Sequence, residues 1–484
     1  MEWSPLILAI VLVATAYLYN CNLNSSDTVL NARSTTSAEA QIVQAWARTI
    51  QEPMNKVKRV AVGLNVNADL IVSAISLLDK LDIKPGASQD HALLNSLSDL
   101  QESFAHFFES GAAAERFFAN GEVYKRIIEA ADKLEHKEYS VGGNAALMAY
   151  KMAELTDDVQ ILMVGPVGPK VHSLMPSRVQ IPDTSLRDED EVHLIMEYAE
   201  GEKWGQWTSP IATRFITSHD VANAEMDGLD VFVTSIKDFG PDVVMFSGLH
   251  LLDSDSLSKQ QEKLSLLVEE LSKLPHVIPL HLELASIANE RLVQLIATQV
   301  LPAVHSLGLN EQELGLVTRA NSGPHPNLAI EESGYAEIGA VADILFWILT
   351  SLVKGQDSLL TRIHFHSLAF HMVATLPGQW GNSLSAVGIG ARIAGRQACG
   401  QVPIDPSKVA LRIPKAFPLS VDYAPLRKTV IIFDPIEPLT SWTRGPVAFH
   451  FSPVLVCKKP GKTVGLGDAI SATAMLHTQY MHRV

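Results

Sequence analysis

The sequence predicts a doubly wound, Rossmann-like α/β/α sandwich with a smaller α+β lid domain. Three observations carry this. Short apolar runs recur along the chain and several close on Gly, Asn or Ser, the pattern of parallel strands buried on both faces. Helical patterns stand between them, in the strand–helix–strand order of a crossover-linked sheet. Two stretches break the alternation with mixed polar and apolar pieces.

Strands are expected at 57–64, 159–164, 242–246, 277–282, 303–309, 361–366, 429–433 and 449–457. Helices are expected at 38–51, 256–273 and 338–352. In such a sheet ligands sit beyond the carboxyl ends of the strands. The first interruption, 90–137, reads as helical. The second, within 175–219, holds charged, strand-like pieces. Both belong to the lid, whose segments run over approximately 68–138 and 175–219 of a main domain spanning 56–484. The loops 319–333 and 400–424 are expected to be mobile.

A chain of 484 residues suits one large domain carrying a smaller one. Its 47% hydrophobic and 19% charged residues suffice for a large core. Lys and Arg number 38 against 53 Asp and Glu, a net charge of −15. That balance argues against nucleic-acid binding, which needs clustered cations, and leaves carboxylates for a metal.

Residues 6–19 are almost wholly apolar. The run is shorter than the roughly 20 residues of a spanning helix. It fits the apolar core of a signal peptide, although Glu2 and no Lys or Arg precedes it. Residues 1–22 are therefore read as a signal peptide or N-terminal anchor, and 23–55 as a linker and first helix. The destination is the endoplasmic reticulum lumen or the exterior, with membrane contact only through an uncleaved N-terminal segment. Asn24-Ser25-Ser26 is a glycosylation sequon that leaves with a cleaved leader. Cys21 lies at the edge of the leader. Cys399 and Cys457 can join in an oxidising lumen or stay as buried thiols, and their spacing does not decide between these.

The chemistry concentrates in three places. After the last strand, a basic turn (Lys458, Lys459, Pro460, Gly461, Lys462) leads to Gly465-Leu466-Gly467-Asp468, which opens a helix. Glycines there let successive amides face one anion at the positive end of the helix. Asp468 beside that anion can take a proton from an attacking hydroxyl; alone, it is as readily a helix cap. His281-Leu282-Glu283 and Asn310-Glu311-Gln312-Glu313 stand at two other strand ends. Carboxylates at neighbouring strand ends can share Mg²⁺ through water. Asn310 and Glu313 also have the spacing of a capping box.

Asn-x-x-Glu followed much later by Gly-x-Gly-Asp resembles the ribokinase-like kinases. The added His-x-Glu resembles their ADP-dependent branch. Val141-Gly142-Gly143-Asn144, Gly165-Pro166-Val167-Gly168-Pro169-Lys170, Phe246-Ser247-Gly248-Leu249-His250 and Arg362-Ile363-His364-Phe365-His366 are similar to the ADP-dependent glucokinases of animals. The resemblance runs from about Val57 to the C-terminus.

What the resemblance implies is a ribokinase-like fold and phosphoryl transfer from Mg-ADP to glucose, giving AMP and glucose 6-phosphate. Asp468 would be the base, and the amides of Gly465, Leu466 and Gly467 would meet the transferring group. Glu283 and Glu313, with Asp468 beside them, would hold Mg²⁺ directly or through water. Arg214 would add positive charge, although Thr213 stands where relatives usually carry Asn. Asp69, Glu115, Gly142, Gly143, Asn144 and His193 would bind the sugar; His366 and Val456 would line the nucleotide site. Without the resemblance, Asp69 reads as a helix cap, Glu115 as a solvated helix charge and His366 as a core histidine. The choice of ADP over ATP rests on the resemblance alone. A monomer is expected.

Three other readings remain open at this stage. One is an ATP-dependent ribokinase-like kinase of another small hydroxyl compound. Another is a non-catalytic sugar or nucleotide sensor. The phosphofructokinase side of the same branch is disfavoured because Glu115 would repel a sugar phosphate.

Overall fold

In the computed structural model, which describes residues 36–285, 287–328, 335–353, 355, 357–460 and 465–481, most of the apolar runs join one ten-stranded sheet. Across that sheet the order is Thr440–Arg444, Val447–Pro453, Phe370–Thr375, Arg362–His366, Ser306–Leu309, Leu280–Glu283, Val243–Ser247, Arg59–Leu64, Gln160–Met163 and Val179–Gln180. From Arg362–His366 onward the pairings are parallel. The three strands at the other edge are antiparallel. Core residues such as Leu282, Leu307 and Ile363 pack against helices on one side, and Val60, Val62 and Met163 on the other. That is the sandwich the apolar runs predict.

The helices fall at Ala38–Thr49, Leu257–Ser272 and Ile338–Trp347, the last continuing as a π-turn over Ile348–Leu352. Three local expectations change, and one strand is added. Val430–Ile432 leaves the main sheet and forms a hairpin with Ala416–Pro418. The 449–457 run divides at Pro453, which has no N–H to continue a ladder: Val447–Pro453 stays in the main sheet while Leu455–Cys457 pairs with Val409–Leu411. The loop 400–424 therefore contains two short strands. Phe370–Thr375 turns back on Arg362–His366 as an antiparallel neighbour, a pairing that a reading in parallel crossovers passes over.

A second sheet has six strands, in the order Leu93–Leu94, Ala114–Phe118, Thr213–Ser218, Val192–Tyr198, Asn67–Ser73 and Lys137–Gly142. Helices Leu97–Ser110 and Gly121–Asp132 pack on one face around Phe104, Phe108, Phe118 and Phe215. The stretch 90–137 is thus not wholly helical. Gly111 ends a helix in the left-handed region (φ 67°), and a strand carrying Glu115 follows. Asp69 pairs with His193, and Glu115 with Ile216, two residues from Arg214. Strand alternation therefore turns Asp69, Glu115, His193 and Arg214 to the face opposite Leu70, Leu194 and Phe215, which lie in the core.

Cys399 and Cys457 form a disulfide across a sequence separation of 58, with Cα atoms 5.3 Å apart. The 6–19 run, Cys21, the sequon, Gly461 and Lys462 lie outside the described residues. Among the described residues no helix is long and apolar enough to cross a membrane.

Candidate active site

The parallel strands present polar residues at one edge. Leu280–Glu283 ends on Glu283, Arg362–His366 ends on His366, Asn310 follows Ser306–Leu309, and Asn65 follows Arg59–Leu64. Glu283 is 3% exposed. Its Oε2 lies 3.2 Å from His281 Nε2 and its Oε1 2.9 Å from His366 Nε2. Burial alone would raise this carboxyl, but the two histidine bonds outweigh burial and hold it at about 2. Gly308, its neighbour on the next strand, is required by this approach: a Cβ there would lie 1.9 Å from Glu283 Oε2.

Glu313 caps its own helix, Glu311–Ala320, and faces the same region. Its Oε2 accepts from the Asn310 amide and its Oε1 from Asn310 Nδ2, both at 2.8 Å. Burial pushes it up to about 8 despite the amide bond, and the charges of Glu283 and Asp468 add to the rise. Glu313 thus completes the capping box and is buried within reach of the Glu283 and Asp468 charges.

The helix Leu466–His477 starts on Gly465, whose φ of 66° is the left-handed region open to glycine. With no side chain to cap it, the first turn offers its amides to an anion. The Leu466 side chain is buried in a cluster with Ile42 and Trp46, so only its backbone can serve. Gly467 stands over His366: a Cβ would be 3.2 Å from His366 Cε1. Asp468 is 5% exposed and accepts from Asn144 Nδ2 at 2.9 Å. Burial pushes its carboxyl up to about 7, opposed by the Asn144 bond and reinforced by the Glu283 charge. Burial lowers His366, but Glu283 more than reverses this and its imidazole lies above its ordinary range.

Asn144 also connects to the second sheet. Asn65 Nδ2 donates to its Oδ1 at 3.3 Å, and Asn65 Oδ1 accepts from the Ala145 amide at 3.2 Å. Two residues earlier, Gly142 lies so close to Asp69 that a Cβ would be 2.1 Å from Asp69 Oδ1. Asp69 itself accepts from Asn67 Nδ2 at 2.8 Å. Burial pushes it up to about 6, moderated by His193 and less by Arg214. His193 bonds Asp220 at 2.8 Å and lies 3.6 Å from Glu115 Oε1. Burial would lower this imidazole, but Asp220 overrides it and it sits at about 9.

The structure thus brings together Glu283, Glu313, Asp468 and His366, and separately Asp69, Glu115, His193 and Gly142, with Asn144 between the groups. Arg214 belongs to the second group, beside Asp69. Val456 stands on a strand paired with Val409–Leu411, and its neighbours Val454 and Leu455 share a buried cluster with Leu466. Three residues given no role from sequence also belong here. Asp220, 1% exposed, holds His193, yet reads as an ordinary helix cap. Burial lowers the His250 imidazole, and the charges of Glu115, His193 and Asp220 act on it. Burial pushes Glu311 up to about 7, and its Oε1 has no partner among the described residues.

Glu313 and Asp468, whose proton affinity is raised, lie buried near the ionised Glu283, a grouping of carboxyls that a cation would relieve. Among the described residues only His325, Asp343 and Asp422 put three ligand atoms within 4.8 Å of one another. That trio is a structural staple: Asp343 also accepts from Ser420 Oγ, the Val421 and Asp422 amides and Arg444. Glu283, Glu313 and Asp468 are more widely spread. A cation among them would have to be held in part through its own water, the manner in which Mg²⁺ is commonly bound.

The family model of the "ADP-specific Phosphofructokinase/Glucokinase conserved region" matches residues 58–477. The chain is 46% identical over 446 residues to an ADP-dependent glucokinase of Bos taurus, covering 92% of this chain and 89% of that protein. It is 36% identical over 457 residues to a probable ADP-dependent glucokinase of Caenorhabditis elegans, covering 92% and 90%. A phosphofructokinase from Pyrococcus horikoshii OT3, solved with AMP, superposes with a TM-score of 0.63 at 19% identity, over 88% of this chain and 98% of that one. At that identity the superposition speaks for the fold alone.

Proposed function

The chain belongs to the ADP-specific phosphofructokinase and glucokinase family, and on that premise we propose that it is a glucokinase, transferring a phosphoryl group from Mg-ADP to the 6-hydroxyl of D-glucose to give glucose 6-phosphate and AMP. One observation carries the acceptor side. The run Gly142-Gly143-Asn144 touches Asp69 at one end and Asp468 at the other. A sugar held by Asp69, Glu115, His193 and these backbone groups therefore presents a hydroxyl toward Asp468.

Asp468 takes the proton of the attacking hydroxyl, and a carboxyl held at about 7 is suited to accept it near neutral pH. The amides of Gly465, Leu466 and Gly467 face the transferring phosphoryl, and Arg214 adds charge from the sugar side. Glu283 and Glu313 would hold Mg²⁺ through water; when bound, it would neutralise the phosphate oxygens. His366, which holds Glu283, borders the nucleotide side, with Val456 on the strand Leu455–Cys457. Carboxylates suit a neutral sugar, because each oxygen accepts from neighbouring hydroxyls.

The phosphofructokinase reading is the alternative within the family. The sugar face carries Asp69 and Glu115, with Asp220 bonded to His193 and the half-buried Glu191 acting on both of these, against His193 and Arg214. That balance opposes a dianionic acceptor. Steady-state rates with Mg-ADP and either glucose or fructose 6-phosphate test it. Turnover confined to fructose 6-phosphate would overturn the assignment.

The segment 1–22 directs the protein to the endoplasmic reticulum lumen or beyond, and the protein acts there as a monomer. The Cys399–Cys457 bond supports an oxidising compartment. Sequencing the N-terminus of the protein recovered from cells tests cleavage: Met1 still present would contradict a cleaved leader.

A further inference from the structure

Behind Glu283, one face of the central sheet is polar where an interior face is ordinarily apolar. His281, Ser306 and Arg362 are direct neighbours on three adjacent strands, so their side chains share that face. All three are 0% exposed. Arg362 Nη1 donates to Ser306 Oγ at 2.8 Å. Ser306 Oγ lies 2.9 Å from His281 Nδ1, and His281 Nε2 lies 3.2 Å from Glu283 Oε2.

We propose that Arg362 and Ser306 are positioning residues that set the tautomer of His281 and so fix the Glu283 carboxylate. The inference rests on the assignment of Glu283 to the Mg²⁺ site.

The order of donors follows from what each group can do. A guanidinium has donors only, so it occupies a lone pair of Ser306 Oγ. His281 Nδ1 is the other partner of this oxygen, and the serine O–H, turned from Arg362, is placed to donate to it. Nδ1 must be bare to accept it, which leaves the proton on Nε2, facing Glu283. The opposite tautomer would set an Nε2 lone pair against a carboxylate oxygen. A doubly protonated ring would share a dry interior with the Arg362 cation. On the other side, His366 Nε2 faces Glu283 Oε1 at 2.9 Å. Each carboxylate oxygen thus has one histidine partner and keeps a lone pair for metal-bound water.

Arg362 is an expensive residue for this place. Its Nε and Nη2 have no partner among the described residues, and the Trp380 ring lies 5.7 Å from the guanidinium. Lysine would supply the same charge without the fixed fork that aims one N–H at Ser306.

The test uses the full-length, metal-free protein labelled with ¹⁵N-histidine. Long-range proton–nitrogen correlation reads the tautomer of His281, whose signal is assigned by its loss in His281→Asn. The expected result is a proton on Nε2 in the wild type, with a mixture of tautomers in Ser306→Ala. A proton on Nδ1 in the wild type overturns the proposal whether or not any variant folds. So does an unchanged tautomer in a folded Ser306→Ala. The same variant separates this from the underlying assignment. Its Mg²⁺ requirement is expected to rise about tenfold, as for outer partners of metal ligands, with KM for glucose nearly unchanged. An altered tautomer with an unaltered Mg²⁺ requirement would leave the relay standing and overturn the metal role of Glu283.

Discussion

Asn144 Nδ2 donates to Asp468 Oδ1 at 2.9 Å, across 324 residues of sequence. This bond ties the start of the helix Asn144–Leu155 to the start of the last helix, and so the sugar face to the base. It also opposes the burial that raises Asp468. Removing the base should lower kcat by at least about 100-fold, the scale of general-base catalysis. Asp468→Ala is therefore expected to lose turnover while glucose affinity, measured by calorimetry, stays within about threefold. Unchanged turnover would remove Asp468 from the chemistry.

The same bond predicts a pH effect. A base must be deprotonated to act, so kcat should rise with pH through about 7. Asn144→Ala deletes an interaction that favours the carboxylate, so the acid limb should move to higher pH. A pH profile of kcat checks this; a limb moving to lower pH would contradict it.

Stability without metal should depend on pH in a specific direction. Glu313 is held at about 8 and Asp468 at about 7, both raised. Their protonated forms favour the fold below the ordinary carboxylate range, and this is lost as pH rises through about 7 to 8. Glu283 is lowered to about 2, so its contribution is present above about pH 4.5 and lost as pH falls toward 2. Melting of the metal-free protein should therefore occur at lower temperature at pH 8.5 than at pH 6, and Mg²⁺ should raise it more at pH 8.5. An equal Mg²⁺ effect at both values would argue against a cation at these carboxylates.

Sugar recognition should fail in a graded way. Asp69→Ala removes a buried acceptor and leaves Asn67 Nδ2 without its partner; KM for glucose is expected to rise on the order of 100-fold. Gly142→Ala forces a Cβ against Asp69 and should act similarly. Glu115→Gln keeps the shape and loses the charge, and about a tenfold rise is expected. Steady-state kinetics on purified, folded variants reads all three.

The disulfide closes a long loop. Models of chain entropy give about 4 kcal/mol for loops of this length. Cys399→Ser with Cys457→Ser should lower the melting temperature by several degrees, as should reductant. No change in either would place the pair outside the stability of the fold.

Much of this was legible in the sequence because strand ends carry both shape and chemistry. Glu283 ends an apolar run, and Asp468 follows two glycines, so each is marked by its neighbours. Asn310 and Glu313 are legible twice, as a capping box and as a carboxylate at a strand end. The relay from Arg362 to Ser306 and His281 is not, because these residues are distant in sequence and meet only through strand register. Nor is Asp220, which sits in sequence as any helix cap does. The strand carrying Glu115 is short and lies between two strong helices, so helical periodicity overran it. The hairpin return at Phe370–Thr375 is hidden because it follows Arg362–His366 after only three residues, within one largely apolar stretch.

Glucose phosphorylation followed with Mg-ADP and with Mg-ATP under identical conditions decides whether the chain is a glucokinase that uses ADP. Glucose 6-phosphate and AMP are expected from Mg-ADP, and little product from Mg-ATP. Substantial turnover with Mg-ATP and none with Mg-ADP would contradict that reading.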